Sequence, residues 1–84
     1  MYTVIVSNRA QKNLRKLPKA TRDEILSPIQ ALADDPFPPG RKKLKGKLGE
    51  YWRIRVGNYR ILYEVEQKTI TVYVLRIRDR KQAY

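Results

Sequence analysis

The chain has 84 residues, carries 19 lysines and arginines against 8 acidic residues, and contains neither histidine nor cysteine. This length fits one domain with a small core, and the missing residue types exclude disulfides, thiolate nucleophiles, histidine acid–base pairs and cysteine- or histidine-based zinc sites. Because no apolar run is long enough for a bilayer and the N-terminus does not resemble a signal peptide, we expect a cytoplasmic protein with no membrane partner.

The positive charge is concentrated in the second half of the chain. The net charge is +11, and residues 41–84 hold thirteen basic and four acidic residues, a net charge of +9. A small folded domain with such a half typically binds a polyanion, and nucleic acid is the polyanion that we expect. A surface that only aids solubility and an acidic protein partner are the alternatives.

The first expected elements are a strand and a helix. Residues 2–6 are β-branched and aromatic, which predicts a strand. Ser7 or Asn8 is expected to cap a helix that Pro18 ends. The apolar stripe of this helix consists of Ala10, Leu14 and Leu17.

A second helix is expected to begin near Thr21, because Thr21 and Glu24 have the spacing of a capping box. Pro28 lies inside it and is expected to kink it or end it early, since proline lacks an N–H donor. Residues 34–40 are rich in proline and predict a loop. The apolar face of this helix consists of Ile25, Ile29 and Leu32. The two helices therefore form a hairpin that can cover a sheet.

The second half predicts three strands, over residues 51–56, 59–65 and 69–77. Gly57-Asn58 is a two-residue hairpin loop, which pairs Arg55 with Arg60, and paired residues share a face of the sheet. The expected apolar face, on which the helices pack, consists of Trp52, Ile54, Val56, Tyr59, Ile61 and Tyr63. The expected open face consists of Arg53, Arg55, Arg60 and Leu62.

The third of these strands is apolar on both faces, which favours a central position in the sheet. Its register stays open at this stage. A two-residue loop before it places Arg76 and Arg78 on the core face of Tyr59, whereas a three-residue loop places them on the face of Arg60. The predicted fold class is α+β, with an N-terminal strand, a two-helix hairpin and a mainly antiparallel sheet that carries the helices on one face.

Two groups of basic residues are candidate phosphate contacts. Arg53, Arg55 and Arg60 crowd one face, and since neighbouring like charges cost stability, this crowding favours a phosphate site over a merely solvated surface. Four lysines precede the hairpin in what we interpret as a charged loop, and they are candidate RNA contacts without sequence preference. These lysines are Lys42, Lys43, Lys45 and Lys47. Tyr84, the last residue of the sequence, is a candidate for stacking on a base or for sharing a proton.

The segment from Lys43 to Tyr63 resembles the centre of RelE-type toxins of toxin–antitoxin systems. The segment from Val74 to Tyr84 resembles their C-terminal segment, and the opening strand and helical hairpin also fit. The resemblance covers essentially the whole chain. It is more specific to the RelE/ParE superfamily as a whole than to either of its two branches.

The resemblance implies a RelE-like fold and cleavage of mRNA in the ribosomal A site by attack of a ribose 2′-OH on the adjacent phosphate. It implies no metal and no cofactor. The implied partners are a cognate RelB-like antitoxin, the ribosome and mRNA, with DNA contacted only through the antitoxin complex. A ParE-like inhibitor of DNA gyrase and a non-catalytic RNA- or ribosome-binding domain are the alternatives.

The resemblance also assigns roles by position. The residues that match the catalytic set are Arg53, Arg55, Arg60, Arg78, Arg80 and Tyr84, and either Arg78 or Arg80 matches the tail arginine. Lys45 matches a basic residue that precedes a glycine. Asp79 stands where many relatives carry histidine, so the resemblance identifies no imidazole acid or base.

Overall fold

A computed structural model describes residues 1–46 and 49–79, and within these residues the chain forms two helices and one five-stranded sheet. The elements are β1 (Thr3–Val6), α1 (Asn8–Arg15), α2 (Lys19–Ala31), β2 (Lys42–Gly46), β3 (Gly49–Val56), β4 (Tyr59–Glu66) and β5 (Thr71–Asp79). The strand order is β1-β5-β4-β3-β2, and every neighbouring pair is antiparallel except the parallel pair β1–β5. The predicted α+β class, with its mainly antiparallel sheet, is confirmed.

The starts of the two helices differ in how well the sequence predicts them. The cap of α1 is confirmed, because the Ser7 hydroxyl accepts a hydrogen bond from the Ala10 N–H at 3.1 Å. The capping box at Thr21 is wrong: α2 begins at Lys19, and its N-cap is Pro18, which has no side-chain cap. The Pro18 carbonyl accepts the Arg22 N–H at 2.9 Å, so the first turn closes before Thr21 can act as a cap.

Pro28 does not end α2 early, since the helix continues to Ala31. Proline removes the N–H that would bond to the carbonyl of Glu24. Glu24 is exposed, so water can satisfy that carbonyl and the helix tolerates the loss.

The sheet contains one strand that the sequence analysis misses. Residues 42–46 form β2 and pair with β3, so the expected charged loop is wrong. Lysines are tolerated here because β2 is an edge strand, and charged side chains on edge strands prevent further pairing. In addition, β5 runs from Thr71 to Asp79 and not over residues 69–77, so Arg78 belongs to the strand together with Arg76.

The core lies between the sheet and the helices, with α1 packed on β5 and α2 packed on β3. The predicted helix stripes and hairpin face meet there. The buried apolar residues are Ala10, Leu14, Ile25, Ile29, Leu32, Ile54, Ile61, Tyr63, Val72, Val74 and Ile77. On the opposite face of the sheet, Arg53, Arg55 and Arg60 are exposed or half-buried, which agrees with the expected open face. Neither described helix is long and apolar enough to cross a membrane.

A β-bulge in β5 settles the register that the sequence leaves open. Residues 67–70 connect β4 to β5, and this four-residue connection pairs Tyr63 with Val74 on the core face. Continued without a shift, the same register would pair Ile61 with Arg76 and bury the arginine. The ladder shifts by one residue instead, so that Leu62 pairs with Arg76.

The extra residue of the bulge is Leu75, which has no partner of its own in the ladder. Beyond it, Ile77 pairs with Ile61 in the core and Arg78 pairs with Arg60 on the open face. The arginines of β5 therefore face outward, although the connection itself has an even number of residues.

Helix α1 covers the edge of β5 beyond the end of β1. The last β1 pair joins Val6 to Val74. From there, the Ser7 hydroxyl donates to the Leu75 carbonyl at 2.9 Å, and the Ile77 N–H donates to the Asn13 side-chain oxygen at 3.0 Å. Side chains of α1 thus satisfy backbone groups that a neighbouring strand would otherwise satisfy.

Replacing Ser7 tests this junction. Ser7→Ala removes both the N-cap and the bond to the bulge carbonyl, so the free energy of unfolding in urea should fall by about 1–2 kcal/mol. Ser27→Ala, at an exposed position inside α2, is the matched control and should change it by no more than about 0.5 kcal/mol, in the stabilising direction. Equal effects of the two substitutions would contradict the proposed role of Ser7.

A buried tyrosine gives the fold a pH dependence. Tyr63 is 0% exposed, and its hydroxyl donates to the Pro36 carbonyl at 2.8 Å. Burial raises the pKa of Tyr63 from 10.0 to about 12, with smaller opposing contributions from Arg41, which lowers it, and Asp35, which raises it. The folded state therefore keeps the phenol protonated after the unfolded chain has lost that proton.

Below pH 10, wild type should be more stable than Tyr63→Phe by about 1 kcal/mol, the value of the Pro36 hydrogen bond. Between the unfolded and folded pKa values the wild type should lose up to about 1.4 kcal/mol per pH unit relative to the variant. Urea unfolding at about pH 8 and about pH 11.5 should therefore show the difference shrinking and changing sign. A pH-independent difference would show that burial does not shift this tyrosine.

Candidate nucleic-acid interface

The open face of the sheet carries two cross-strand rows that are rich in basic residues. The first row is Arg55, Arg60 and Arg78, which are direct partners on β3, β4 and β5. The second row is Lys42, Arg53, Leu62 and Arg76, on β2 to β5. Direct partners in an antiparallel pair have Cβ atoms about 4.5–5.5 Å apart, so these rows form one continuous cationic surface.

The arginines of this surface differ in exposure. Arg55 is exposed, whereas Arg53, Arg60 and Arg78 are half-buried. The Nε of Arg53 is buried and has no hydrogen-bond acceptor among the described residues. An unsatisfied buried donor costs about 1–3 kcal/mol. The Arg53 guanidinium lies beside other cations and is partly buried. Water therefore screens its charge less than it would on an open surface, and the positive potential there is stronger.

The four lysines that the sequence groups together do not share one face. Lys42 lies in the second row beside Arg53, whereas Lys43 lies opposite Trp52 on the other face. Its ammonium is 5.7 Å from the Trp52 ring centroid, and the Arg41 guanidinium is 5.4 Å from the same ring. Strand alternation separates the two lysines, which the interpretation as a loop could not anticipate.

The remaining candidates are partly outside the described residues. Lys45 occupies the register position opposite Glu50. Lys47, Arg80 and Tyr84 lie outside the described residues. Arg78 pairs with Arg60, so the structure brings at least one of the two candidate tail arginines to the arginine row.

Asp79, which stands where many relatives carry histidine, pairs with Tyr59 at the end of the ladder. It lines a small cleft of about 180 Å³ together with Asn13 and Lys16 of α1 and the connection that follows it. Tyr59 belongs to the face that the helices cover. The carboxylate position is therefore on the opposite side of the sheet from the arginine rows.

Two site residues escape the sequence analysis. Arg9 and Arg76 line a groove of about 500 Å³ on the open face. Its apolar lining consists of Leu44, Tyr51, Leu62 and Leu75. The sequence feature that could have identified Arg9 as a site residue is its place in the first turn of α1, where the helix dipole disfavours a cation. Arg76 reaches the open face only because of the bulge, and the sequence does not reveal the bulge.

The arrangement is suited to binding and stabilising negative charge. Guanidinium groups stay protonated and contact phosphate oxygens in pairs, and their alignment along two rows matches a polyanion better than a single anion. Within residues 1–46 and 49–79, no group of three or more carboxylates lies close enough together to hold a metal ion.

Comparison with known proteins agrees with this fold. The family model described as the ParE toxin of the type II toxin–antitoxin system parDE matches residues 4–84. Toxin RelG of Mycobacterium tuberculosis is 31% identical over 84 residues, which cover 99% of this chain and 95% of that protein.

Two solved toxin–antitoxin structures are also similar. The RelE–RelB complex from Pyrococcus horikoshii OT3 contains a chain with a TM-score of 0.83 and 30% identity, and the match covers 98% of both chains. The RelBE2 complex from Mycobacterium tuberculosis matches with a TM-score of 0.82 and 30% identity, covering 94% of this chain and 98% of that one. The chain belongs to the RelE/ParE superfamily and is a RelE-type toxin of a type II toxin–antitoxin system.

Proposed function

We propose that this toxin is a ribosome-dependent endoribonuclease that cleaves mRNA in the A site without a metal ion and thereby inhibits translation. The observation that supports the proposal most directly is the row of Arg55, Arg60 and Arg78 beside Arg53 on the open face. Such a surface fits a single-stranded RNA backbone, and the absence of histidine from the sequence directs the mechanism toward charge stabilisation.

The proposed reaction is an internal transesterification. The ribose 2′ oxygen attacks the adjacent phosphorus, the new O2′–P bond forms and the P–O5′ bond breaks. The 2′ proton passes to water, the 5′ oxygen takes a proton from the Tyr84 hydroxyl, and the products carry a 2′,3′-cyclic phosphate and a 5′-OH. Arg60, with Arg78 or Arg80, stabilises the charge that grows on the phosphorane, while Arg53 and Arg55 hold the RNA backbone.

The proton transfers are the demanding part for this residue set. Arginine is a poor general base because its pKa exceeds about 12. The ribosome can compensate by holding the 2′ oxygen in line with the scissile bond, since orientation alone contributes a large part of many rate enhancements. The proposed dependence on the ribosome follows because the arginines supply charge stabilisation and the ribosome supplies orientation of the substrate.

We also propose that a cognate RelB-like antitoxin keeps the toxin inactive. The two solved structures reported above are complexes of a RelE-type toxin with its antitoxin. A net charge of +11 favours a partly acidic partner that is disordered alone and orders along the toxin surface. DNA would be contacted only by the antitoxin part of the complex. Purification of the chain from its native host without a small partner would contradict this part of the proposal.

Primer extension on ribosome-bound mRNA tests the nuclease. The wild type should produce breaks inside the A-site codon, and none should appear on the same mRNA without ribosomes. Arg60→Ala should slow the appearance of breaks by about 10²–10³-fold, the usual effect of losing one donor to a transition-state oxyanion. Arg15→Ala, an exposed arginine on α1, is the matched control and should cleave like the wild type.

Absence of breaks from folded, antitoxin-free wild type would contradict the nuclease. The match to a ParE family model makes gyrase the second target to examine. Inhibition of gyrase supercoiling by the same preparation would then identify a ParE-like toxin. Ribosome or RNA binding without either activity would identify a non-catalytic binding domain.

Tyr84 is the proton donor that we propose for the 5′ oxygen, because every other residue of the candidate catalytic set is an arginine and guanidinium groups do not release protons. Tyr84→Phe keeps the ring and removes the hydroxyl. It should slow cleavage in the same assay by about 10²–10⁴-fold, the usual contribution of general acid catalysis. Unchanged cleavage would limit Tyr84 to stacking on a base or to no role.

A further inference from the structure

A cleft beside the arginine rows brings one helix arginine next to two strand arginines. It has a volume of about 280 Å³ and is lined by Arg9, Asn13, Arg76, Ile77 and Arg78. Arg9 comes from the first turn of α1, and the other two arginines come from the end of β5. Neither Arg9 nor Arg76 belongs to the catalytic set proposed above.

Two hydrogen bonds between side chains of one side and the backbone of the other hold the cleft together. Ser7, which caps α1, donates to the Leu75 carbonyl at 2.9 Å, and Asn13 accepts the Ile77 N–H at 3.0 Å. These two bonds fix the start and the last turn of α1 against β5. The position of Arg9 relative to Arg76 is therefore set by the fold and not by a loop.

The polar side chains that line the cleft present mainly hydrogen-bond donors. Its three guanidinium groups only donate hydrogen bonds, and because the Asn13 oxygen already accepts the Ile77 N–H, the amide nitrogen of Asn13 is also a donor. The first turn of α1 contains no acidic residue, and the helix dipole adds partial positive charge at Arg9. An anion with several oxygens can accept hydrogen bonds from Arg9 and Arg76 in such a cleft.

The cleft adjoins an apolar groove. Arg9 and Arg76 also line the groove of about 500 Å³ that contains Tyr51, Leu62 and Leu75. A donor-lined cleft next to a groove with an aromatic side chain matches the two halves of a nucleotide, because phosphates bind cations and bases bind aromatic and apolar surfaces. Arg78 connects the cleft to the row that contains Arg60.

We propose that this cleft binds a backbone phosphate of the RNA that flanks the scissile phosphate, and that the groove receives the adjacent base. The inference rests on the proposed ribonuclease function and adds a second nucleotide subsite to it. Arg9 and Arg76 are its binding residues. They extend the RNA path from the sheet onto α1.

Binding of uncleavable RNA tests the subsite. We would use single-stranded 2′-O-methyl RNA, which lacks the nucleophile, as a dinucleotide and as a hexanucleotide, and measure affinity by fluorescence anisotropy over a range of low salt concentrations. Arg9→Ala should weaken the hexanucleotide roughly tenfold and reduce its salt slope by about 0.7, the loss of one phosphate contact. We expect the single phosphate of the dinucleotide to occupy the arginine row. Arg9→Ala should therefore bind the dinucleotide with the same affinity as the wild type.

Three variants make the result specific. Arg15→Ala removes the same charge from an exposed position on α1 and should leave both affinities unchanged. Arg9→Lys should restore most of the salt slope. Arg60→Ala should weaken both lengths. Arg9 is exposed, so Arg9→Ala should fold, and its thermal midpoint should be no lower than that of the wild type because a cation leaves the positive end of the helix.

The subsite is overturned if Arg9→Ala and Arg15→Ala bind the hexanucleotide equally, if Arg9→Ala weakens both lengths alike, or if the wild type binds no hexanucleotide at low salt. The primer-extension assay decides the proposed function separately. Persisting A-site breaks with Arg9-independent binding would reject only the subsite. Arg9-dependent binding without any breaks would reject only the nuclease.

Discussion

The open face of this toxin depends on one extra residue in β5. The four-residue connection before β5 would direct Arg76 toward Ile61 in the core, and burying an unpaired charge there costs several kcal/mol. The bulge at Leu75 reverses the alternation, so Ile77 enters the core and Arg78 joins Arg60. Ser7 accepts the Ala10 N–H and donates to the bulge carbonyl, which couples the start of α1 to the site.

The same face sets a conflict between stability and binding. Two rows of cations on adjacent strands repel one another, and an 84-residue chain has only a small core to offset that repulsion. Any anion that binds the folded state relieves the repulsion and stabilises the fold. Under the proposed function, an acidic antitoxin segment and the RNA backbone would both bind these cations. Binding of one would therefore weaken binding of the other.

The sequence predicts the features that depend on the alternation of side chains along a strand and on short loops between strands. Gly57-Asn58 determines the β3–β4 register, and from it the division between the apolar face and the face of Arg53, Arg55 and Arg60 follows. The sequence does not predict β2, because its lysines look like a loop unless an edge position is known. It also does not predict the bulge, because no local pattern near Leu75 distinguishes a shifted ladder from a regular one. The proposed contribution of Arg9 is not predicted either, because it depends on where α1 meets β5.

Under the proposed function, the chemistry of the described candidate catalytic groups would make prior alignment of the substrate important. Arg53, Arg55, Arg60 and Arg78 can orient a phosphate and stabilise its growing charge, but a guanidinium does not take a proton from a ribose hydroxyl at neutral pH. A site with strong charge stabilisation and weak proton transfer works best on a substrate whose reacting atoms are already aligned. RNA that is free in solution must lose its conformational freedom on binding, whereas mRNA held in a ribosome has lost much of it beforehand. On this argument the arginine-rich face and the proposed dependence on the ribosome would have one physical origin.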